Sequence, residues 1–253
     1  MPRPSHLRVT EGVSHGVPME GTDRRVAYVA NVRFPTEKAH GIQIAQACEA
    51  LGKKCNLVLI VPYRPSNLIT QEPYEYYGVS RTFSIRWVQS PDFLAFGALG
   101  FLMTQIIFLI RARKVVRDER SQAVYTRDLL APFFIPNSVV EIHDLPRAGR
   151  SLYGHIWRRA RLLITKTSFL RYDIIERCGV LAAKIIVLPN GIDLRRFEVP
   201  SRDRARAETG LPGAARIALY AGSFHDWKGI DIFLGAAGIL PEVLFVAVGA
   251  SGH

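Results

Sequence analysis

Two stretches near the C-terminus decide the reading of this chain. One is Ile185-Ile186-Val187-Leu188-Pro189-Asn190-Gly191-Ile192-Asp193. The other is Ile217-Ala218-Leu219-Tyr220-Ala221-Gly222-Ser223, continuing to Trp227-Lys228-Gly229-Ile230-Asp231. Each is an apolar, strand-like run followed by a polar, glycine-bearing loop. The second loop ends in a cation where a helix-like segment starts. The first amides of a helix have no internal partners and the helix dipole is positive there, so the arrangement suits an anion. The chain stops at His253, so this site is expected to be only partly encoded here.

Working outward, apolar runs alternate with helix-like segments from Arg25 onward. The strands read as Val26 to Ala30, Asn56 to Val61 closed by Pro62, Phe83 to Val88, Ala123 to Thr126, Val139 to His143, Leu162 to Thr165, and Lys184 to Leu188. Gly41 to Leu51 reads as a helix, with Ile44, Cys48 and Leu51 on one face. Thr167-Ser168 can cap a helix that runs to Cys178, with Gly179 as its C-terminal cap. Such alternation implies a parallel sheet covered on both faces. After an Arg-rich stretch, Arg216 to Ala221, Lys228 to Ile239 and Val243 to Val248 read as one βαβ unit. The domain scheme is a flexible leader at 1–24, a first domain at 25–194, a linker at 195–210 and an incomplete second unit at 211–253. The last strand is expected to expose an unpaired edge.

The 253 residues carry 33 Lys and Arg against 22 Asp and Glu, a net charge of +11. That excess favours phosphorylated substrates, anionic lipid or nucleic acid, and Arg-rich helix faces are equally common as plain solvated surface. The three cysteines, Cys48, Cys55 and Cys178, lack metal-ligand spacing and are too few for a disulfide framework. They read as reduced thiols of a cytosolic protein. The N-terminus has no apolar run of a secretory signal.

In an open parallel sheet, ligands gather beyond the carboxyl ends of the strands. Four loops lie there. The first, Asn31 to Gly41, opens its helix at Gly41, whose backbone a phosphate or sugar can approach; a plain β-to-α turn is the alternative. It has neither G-x-G-x-x-G nor a P-loop pattern. The second is Glu141-Ile142-His143-Asp144, where His143 can donate to a substrate or act as acid or base, or is simply held by Asp144. The third holds Asn190 and Gly191, a donor contact or a hinge turn. The fourth, Gly222 to Gly229, offers Lys228 to a leaving diphosphate, unless Lys228 is only a solvated lysine or pairs with Asp226.

On these residues the chain resembles a GT-B glycosyltransferase of the family-4 type. The matching pieces are Pro35 to Gln43, Glu141 to Asp144, Pro189 to Asp193, and Tyr220-Ala221-Gly222 with Lys228-Gly229. The resemblance implies an α/β fold of two Rossmann-like domains, the second incomplete here. It implies transfer of a sugar from a nucleotide-sugar donor to a glycan or lipid-linked acceptor, with retention, no cofactor and no metal. It places Gly41, Gly222, Ser223, Lys228 and Gly229 at the donor phosphates, His143 at the donor sugar as the catalytic candidate, and Asn190 and Gly191 at the donor or a hinge. The absence of a D-x-D agrees with metal independence. Ser223 stands where the family often has Arg, and the family's E-x7-E region has no counterpart before His253. An inactive fragment is therefore the expectation for this chain. The alternatives are a non-catalytic, membrane-associated binding module and a GT-B sugar-nucleotide epimerase, which the Pro189-Asn190-Gly191 and Lys228-Gly229 pair argues against. No nucleic-acid partner is expected.

Phe93 to Ile110 carries no charge and is followed by Arg111, Arg113, Lys114 and Arg117. A spanning helix would split one sheet across a bilayer. A helix docked on an anionic membrane surface is favoured over a core helix, giving a cytoplasmic protein peripheral to the inner face.

Overall fold

The computed structural model describes residues 13–14, 24–64, 68, 70–146, 148–194, 197 and 199–249. The chain divides into two units, Met1–Asn190 and Gly191–His253. Most of the 1–24 leader, and Arg195 and Arg196 of the 195–210 linker, lie outside the described residues.

The strands of the first unit are β1 (Val13–Ser14), β2 (Arg25–Val29), β3 (Asn56–Tyr63), β4 (Ser84–Gln89), β5 (Ala123–Thr126), β6 (Val139–Ile142), β7 (Leu162–Thr165) and β8 (Ile185–Val187). Its helices are α1 (Ala39–Gly52), α2 (Pro73–Tyr77), α3 (Gly97–Asp118), α4 (Ala131–Phe134), α5 (Arg150–Trp157) and α6 (Ser168–Cys178). The strands form one sheet in the order β1-β4-β3-β2-β5-β6-β7-β8. Seven of them are parallel, and β1 pairs antiparallel with β4 through Val13 and Ser14. The described part of the leader thus supplies an edge strand, which its Pro- and Gly-rich composition does not announce. The α/β, Rossmann-like class read from the sequence is the observed one.

Alternation within each strand feeds two cores. Leu57, Leu59 and Val61 of β3 face Ile44 and Cys48 of α1 and Tyr74 and Tyr77 of α2. Val58 and Ile60 face Phe108, Leu109 and Ala112 of α3. Both faces are apolar, so the strand reads as a continuous hydrophobic run. A third cluster packs Val140, Ile142 and Leu163 against Ile156 and Trp157 of α5 and Ile174 and Cys178 of α6. Thr167 caps α6 by accepting from the Leu170 N–H at 3.1 Å. Gly179 closes it in the left-handed region at φ +64°.

Pro62 does not close β3, which continues to Tyr63. Ile60 O accepts from Ala30 N–H at 3.0 Å, so Pro62, two residues on, also turns toward β2. The Ala30 carbonyl that would take an amide from position 62 is already occupied by Val32 N–H at 3.0 Å. Ala30 O therefore stays satisfied without an amide from position 62, and the missing proline donor leaves no buried group unpaired there.

Helix α3 is neither wholly docking surface nor wholly core. Thr104, Phe108, Leu109, Ala112 and Val116 are buried along one face. Its N-terminal half exposes Leu99, Phe101, Leu102 and Met103. Among the described residues, no helix is long and apolar enough to cross a membrane.

The second unit holds α7 (Arg202–Thr209), β9 (Arg216–Ala221), α8 (Ile230–Ile239) and β10 (Val243–Val248). α7 occupies part of the 195–210 stretch read as linker; Ser201 caps it and Gly210 ends it at φ +69°. β9 and β10 pair in parallel as the βαβ reading requires. Lys228 precedes α8 rather than opening it, because Gly229 adopts φ +70° between them.

Helix α5 crosses the end of α6 so closely that a Cβ on Gly154 would lie 1.9 Å from the Cys178 carbonyl oxygen. Gly154→Ala is therefore expected to cost about 1–3 kcal/mol of stability, because backbone must move to admit a methyl group. Urea unfolding checks this: a lowered midpoint with unchanged slope is expected, and a wild-type midpoint contradicts the close approach.

Candidate functional site

The sheet winds one way from β2 to β3 and β4, and the other way through β5, β6, β7 and β8. At such a reversal the flanking connections leave on opposite faces, and a crevice opens beyond the carboxyl ends of the strands. A cavity of about 460 Å³ lies there. Asn31 after β2, Arg64 after β3, Arg127 and Asp128 after β5 and His143 after β6 line it, with His40 and Gln43 of α1 and Phe101, Thr104 and Gln105 of α3.

Glu141 organises one wall. It projects from β6 and is only 7% exposed. Tyr125 of β5 donates its hydroxyl to Glu141 Oε2. His143 Nε2 lies 2.5 Å from Oε1, Lys166 Nζ 2.7 Å and an Arg127 nitrogen 3.5 Å from the same oxygen. With Nε2 donating to Glu141, Arg127 donates instead to His143 Nδ1, at 3.2 Å, and to Gln43 Oε1, also at 3.2 Å. Burial opposes the Glu141 charge, but the bonds from His143, Lys166 and Tyr125 and the attraction of Arg127 outweigh it and hold its pKa down to about 2. The same environment, burial first and then Glu141, pushes the Tyr125 hydroxyl up. A charged carboxylate in this position is sustained by its three cationic or imidazole neighbours.

Asp128 forms a second buried group, 6% exposed. Gln105 Nε2 reaches both its oxygens at 3.2 and 3.1 Å, and Leu130 N–H donates at 2.9 Å. Burial raises its pKa, and these bonds restrain the rise. His40, at the start of α1, is pulled down by burial and then by Lys38 and Arg127.

His143 stands at the carboxyl edge, as the strand reading placed it, but it is held by Glu141 and Arg127 rather than by Asp144. Gly41 lies on the same edge, third in α1, not at its opening. Its N–H donates to Lys38 O at 2.8 Å. A Cβ there would meet Tyr77 Oη at 2.3 Å and Thr36 Cγ2 at 2.6 Å. Tyr77 in turn donates to Thr36 O and accepts from Thr36 N–H. Glycine is thus demanded by packing against Tyr77, a reason independent of any ligand. Asn190 and Gly191 are exposed beyond β8, where the two units divide.

In the second unit, Gly222, Ser223 and Lys228 come together. Lys228 Nζ donates to Ser223 Oγ at 2.6 Å and lies 5.1 Å from the centre of the Trp227 ring. The Asp226 pair weighed for it is not formed among the described residues. Gly229 caps α8 without a side-chain bond, so the first amides of that helix point outward beside Lys228. Among the described residues, no group of three or more His, Cys, Asp or Glu side chains is placed to hold a metal ion.

Sequence reading placed Asn31 in a candidate loop but missed Arg127, Lys166, Tyr125, Asp128, Gln105 and Arg64. Arg127 and Lys166 had a signal: each is the first polar residue after an apolar strand run, Ala123 to Thr126 and Leu162 to Thr165. Arg64 had the same signal, following the apolar run Leu57 to Tyr63, and Gln105 had none, because only the fold brings it to the cavity.

The low pKa of Glu141 makes stability depend on pH. A folded-state pKa of about 2 against an ordinary value near 4.5 contributes stability that is complete above the unfolded pKa and lost as pH falls through about 2. The contribution is about 3 kcal/mol. Urea midpoints of wild type and Glu141→Gln, measured from pH 6 to pH 2, should converge as pH falls. A gap independent of pH contradicts the assignment.

The sequence profile of Glycosyltransferase Family 4 matches residues 41–196. The D-inositol 3-phosphate glycosyltransferase of Mycolicibacterium smegmatis is 31% identical over 155 residues, 60% of this chain and 34% of that protein. The protein of the same name from Mycobacterium bovis is 38% identical over 155 residues, 60% of this chain and 31% of its own length. Curated relatives are spanned by this chain over 24% to 34% of their length. Among solved structures, sucrose-phosphate synthase from Thermosynechococcus elongatus superposes with a TM-score of 0.67 at 16% identity, covering 90% of this chain and 63% of that one. Anabaena HepE in complex with UDP superposes with a TM-score of 0.61 at 15% identity, over 90% of this chain and 61% of HepE.

Proposed function

The chain belongs to Glycosyltransferase Family 4, and on that footing we propose that it serves the transfer of a sugar from a nucleotide-sugar donor to a hydroxyl of a glycan or lipid-linked acceptor, with retention. The carboxyl-edge cavity lined by His143 and Arg127, both held from behind by Glu141, is the observation that carries this reading. In the proposed step the anomeric carbon–oxygen bond of the donor breaks and the diphosphate leaves with the electron pair. The acceptor oxygen bonds to the same face, and its proton passes to the departing phosphate. His143, fixed by Glu141 through Nε2, turns Nδ1 to accept from a sugar hydroxyl in place of Arg127. In the second unit, taken by itself, Lys228 and the uncapped amides of α8 form an anion site suited to a diphosphate. The HepE complexes with UDP and with UDP-glucose favour a uridine nucleotide for a protein of this fold. We read the first unit as the acceptor-side domain and the second as belonging to the nucleotide-sugar side. No step calls for a metal or cofactor.

The second unit bears on turnover. None of the side chains of α7 and α8 is buried, and Leu219, Trp227, Ile232, Leu234 and Ile239 are each 60% exposed or more. Catalysis needs groups held in place, and this unit has little buried surface to hold Lys228. The 253-residue chain alone is therefore expected to bind donor weakly and transfer nothing until further protein covers these faces. Isothermal titration and a transfer assay with UDP- and GDP-sugars measure both. Micromolar binding with transfer by the bare chain contradicts the covering requirement. In a turnover-competent form, Lys228→Ala should cost about a hundredfold in kcat, and an unchanged rate contradicts its role.

A second reading, a membrane-associated binding module in the cytoplasm, rests on α3. Leu99, Phe101, Leu102 and Met103 are exposed on its N-terminal half, and Arg111, Arg113, Lys114 and Arg117 follow on the same helix. Apolar contact and attraction to anionic lipid add together in such a helix. Co-sedimentation with vesicles should show binding to phosphatidylglycerol-containing bilayers, little to phosphatidylcholine alone, and loss in a Leu99→Ser/Leu102→Ser variant. Equal recovery in all cases removes this reading.

A further inference from the structure

Lys166 binds Glu141 from outside the cavity, and nothing in the transfer step above uses it. Its place is set by its neighbours. Thr165, fully buried at the end of β7, shares its hydroxyl proton between Thr167 O at 3.3 Å and Ile186 O at 3.4 Å. Thr167 in turn caps α6 through the Leu170 N–H. Lys166 lies between these two anchored residues. Its side chain is 20% exposed and reaches Glu141 Oε1 at 2.7 Å.

Three donors meet at that oxygen, and they are not equivalent. His143 Nε2 is 2.5 Å away, Lys166 Nζ 2.7 Å and an Arg127 nitrogen 3.5 Å. Arg127 lines the cavity and also serves His143 Nδ1 and Gln43, so a ligand in the cavity competes for it. The Lys166 contact lies outside the cavity and persists when the cavity fills. A second ring proton, on Nδ1, would set an imidazolium within about 5 Å of the Lys166 ammonium, with Arg127 beside both. One carboxylate does not balance three cations. The ring therefore keeps a single proton, on Nε2, and Nδ1 keeps its lone pair.

The other titratable groups around this pair leave that balance to Lys166. Tyr125 bonds Glu141, and Tyr28 and Cys48 stand behind it; burial, before any other cause, pushes all three up, so they stay uncharged. His40 of α1 lines the same cavity and is pulled down by burial first, then by Lys38 and Arg127. Asp128, also on the cavity, is engaged by Gln105 and the Leu130 N–H. Asp144 adjoins His143 in the chain.

We propose that Lys166 is a positioning residue: by balancing Glu141 it keeps the His143 ring neutral, so that Nδ1 meets the donor sugar as an acceptor. This rests on the reading of His143 as the sugar contact. Lys166 acts through Glu141 and not on the sugar.

The test needs no turnover. Histidine ring nitrogens labelled with nitrogen-15 are read in the full 253-residue chain by long-range proton–nitrogen correlation at pH 7.5. His143 is assigned by its loss in His143→Asn. Wild type should be chiefly the neutral ring with its proton on Nε2. Lys166→Met should raise the ratio of imidazolium to imidazole about ten-fold, and Lys166→Arg should restore the wild-type pattern. A purely packing role would lower the urea midpoint of Lys166→Met and leave the ring nitrogens unchanged. Lys166→Gln takes its place if Lys166→Met does not fold. A doubly protonated wild-type ring, a lone proton on Nδ1, unchanged nitrogens in a folded neutral variant, or no restoration by Lys166→Arg overturns the proposal. So does failure of both neutral variants to fold, which makes Lys166 a residue of stability alone. Nitrogens that respond as expected, with no response of His143 to UDP-glucose, would count against the sugar contact and leave the hold of Lys166 on the ring standing.

Discussion

Strand β2 pairs with β3 on one side and β5 on the other, and the winding of the sheet reverses across it. The rest of the first unit depends on that reversal. It sends α1 and α3 to opposite faces, so both faces must be apolar, and Val26 and Tyr28 of β2 enter one core while Ala27 and Val29 enter the other. It also leaves a crevice at the carboxyl edge into which loops from β2, β3, β5 and β6 converge. Parallel pairing does the rest, because every strand after β2 except those of the second unit ends on that same edge.

Within the crevice, Glu141 is the electrostatic anchor. Three consecutive strands each place one polar group beyond their ends: Arg127 after β5, His143 after β6 and Lys166 after β7. All three reach the same carboxylate oxygen. A buried carboxylate held charged by such neighbours orients an imidazole more firmly than solvent would. The second unit shows the opposite condition. Its strands are paired and its loop is formed, with Lys228 on Ser223, yet its apolar residues are left largely exposed.

The layer order, the parallel sheet and the cap of α6 were legible in the sequence, because apolar runs, Thr167 and Gly179 state them locally. His143 was legible as an edge residue for the same reason. What held it was not: Asp144 adjoins it in sequence, but Glu141, two residues back on a pleated strand, shares its side of the sheet. Gly41 was read as a place for a ligand, whereas a contact with Tyr77, distant in sequence, dictates the glycine. Pro62 read as a strand end because the ladder it would have broken is visible only in three dimensions. Val13–Ser14 and the half-buried character of α3 depend likewise on partners far along the chain. The family profile over residues 41–196 agrees with the reading drawn from the loops.

The central claim is that His143, anchored by Glu141, meets the sugar of a nucleotide sugar at the carboxyl edge of the first unit. The ring proton signals of His143 in NMR test it most directly, titrated to saturation with UDP-glucose and separately with UDP. The account predicts a shift with UDP-glucose that UDP does not reproduce and that Glu141→Gln diminishes. Identical responses to UDP and UDP-glucose at saturation, or none to either, would contradict it.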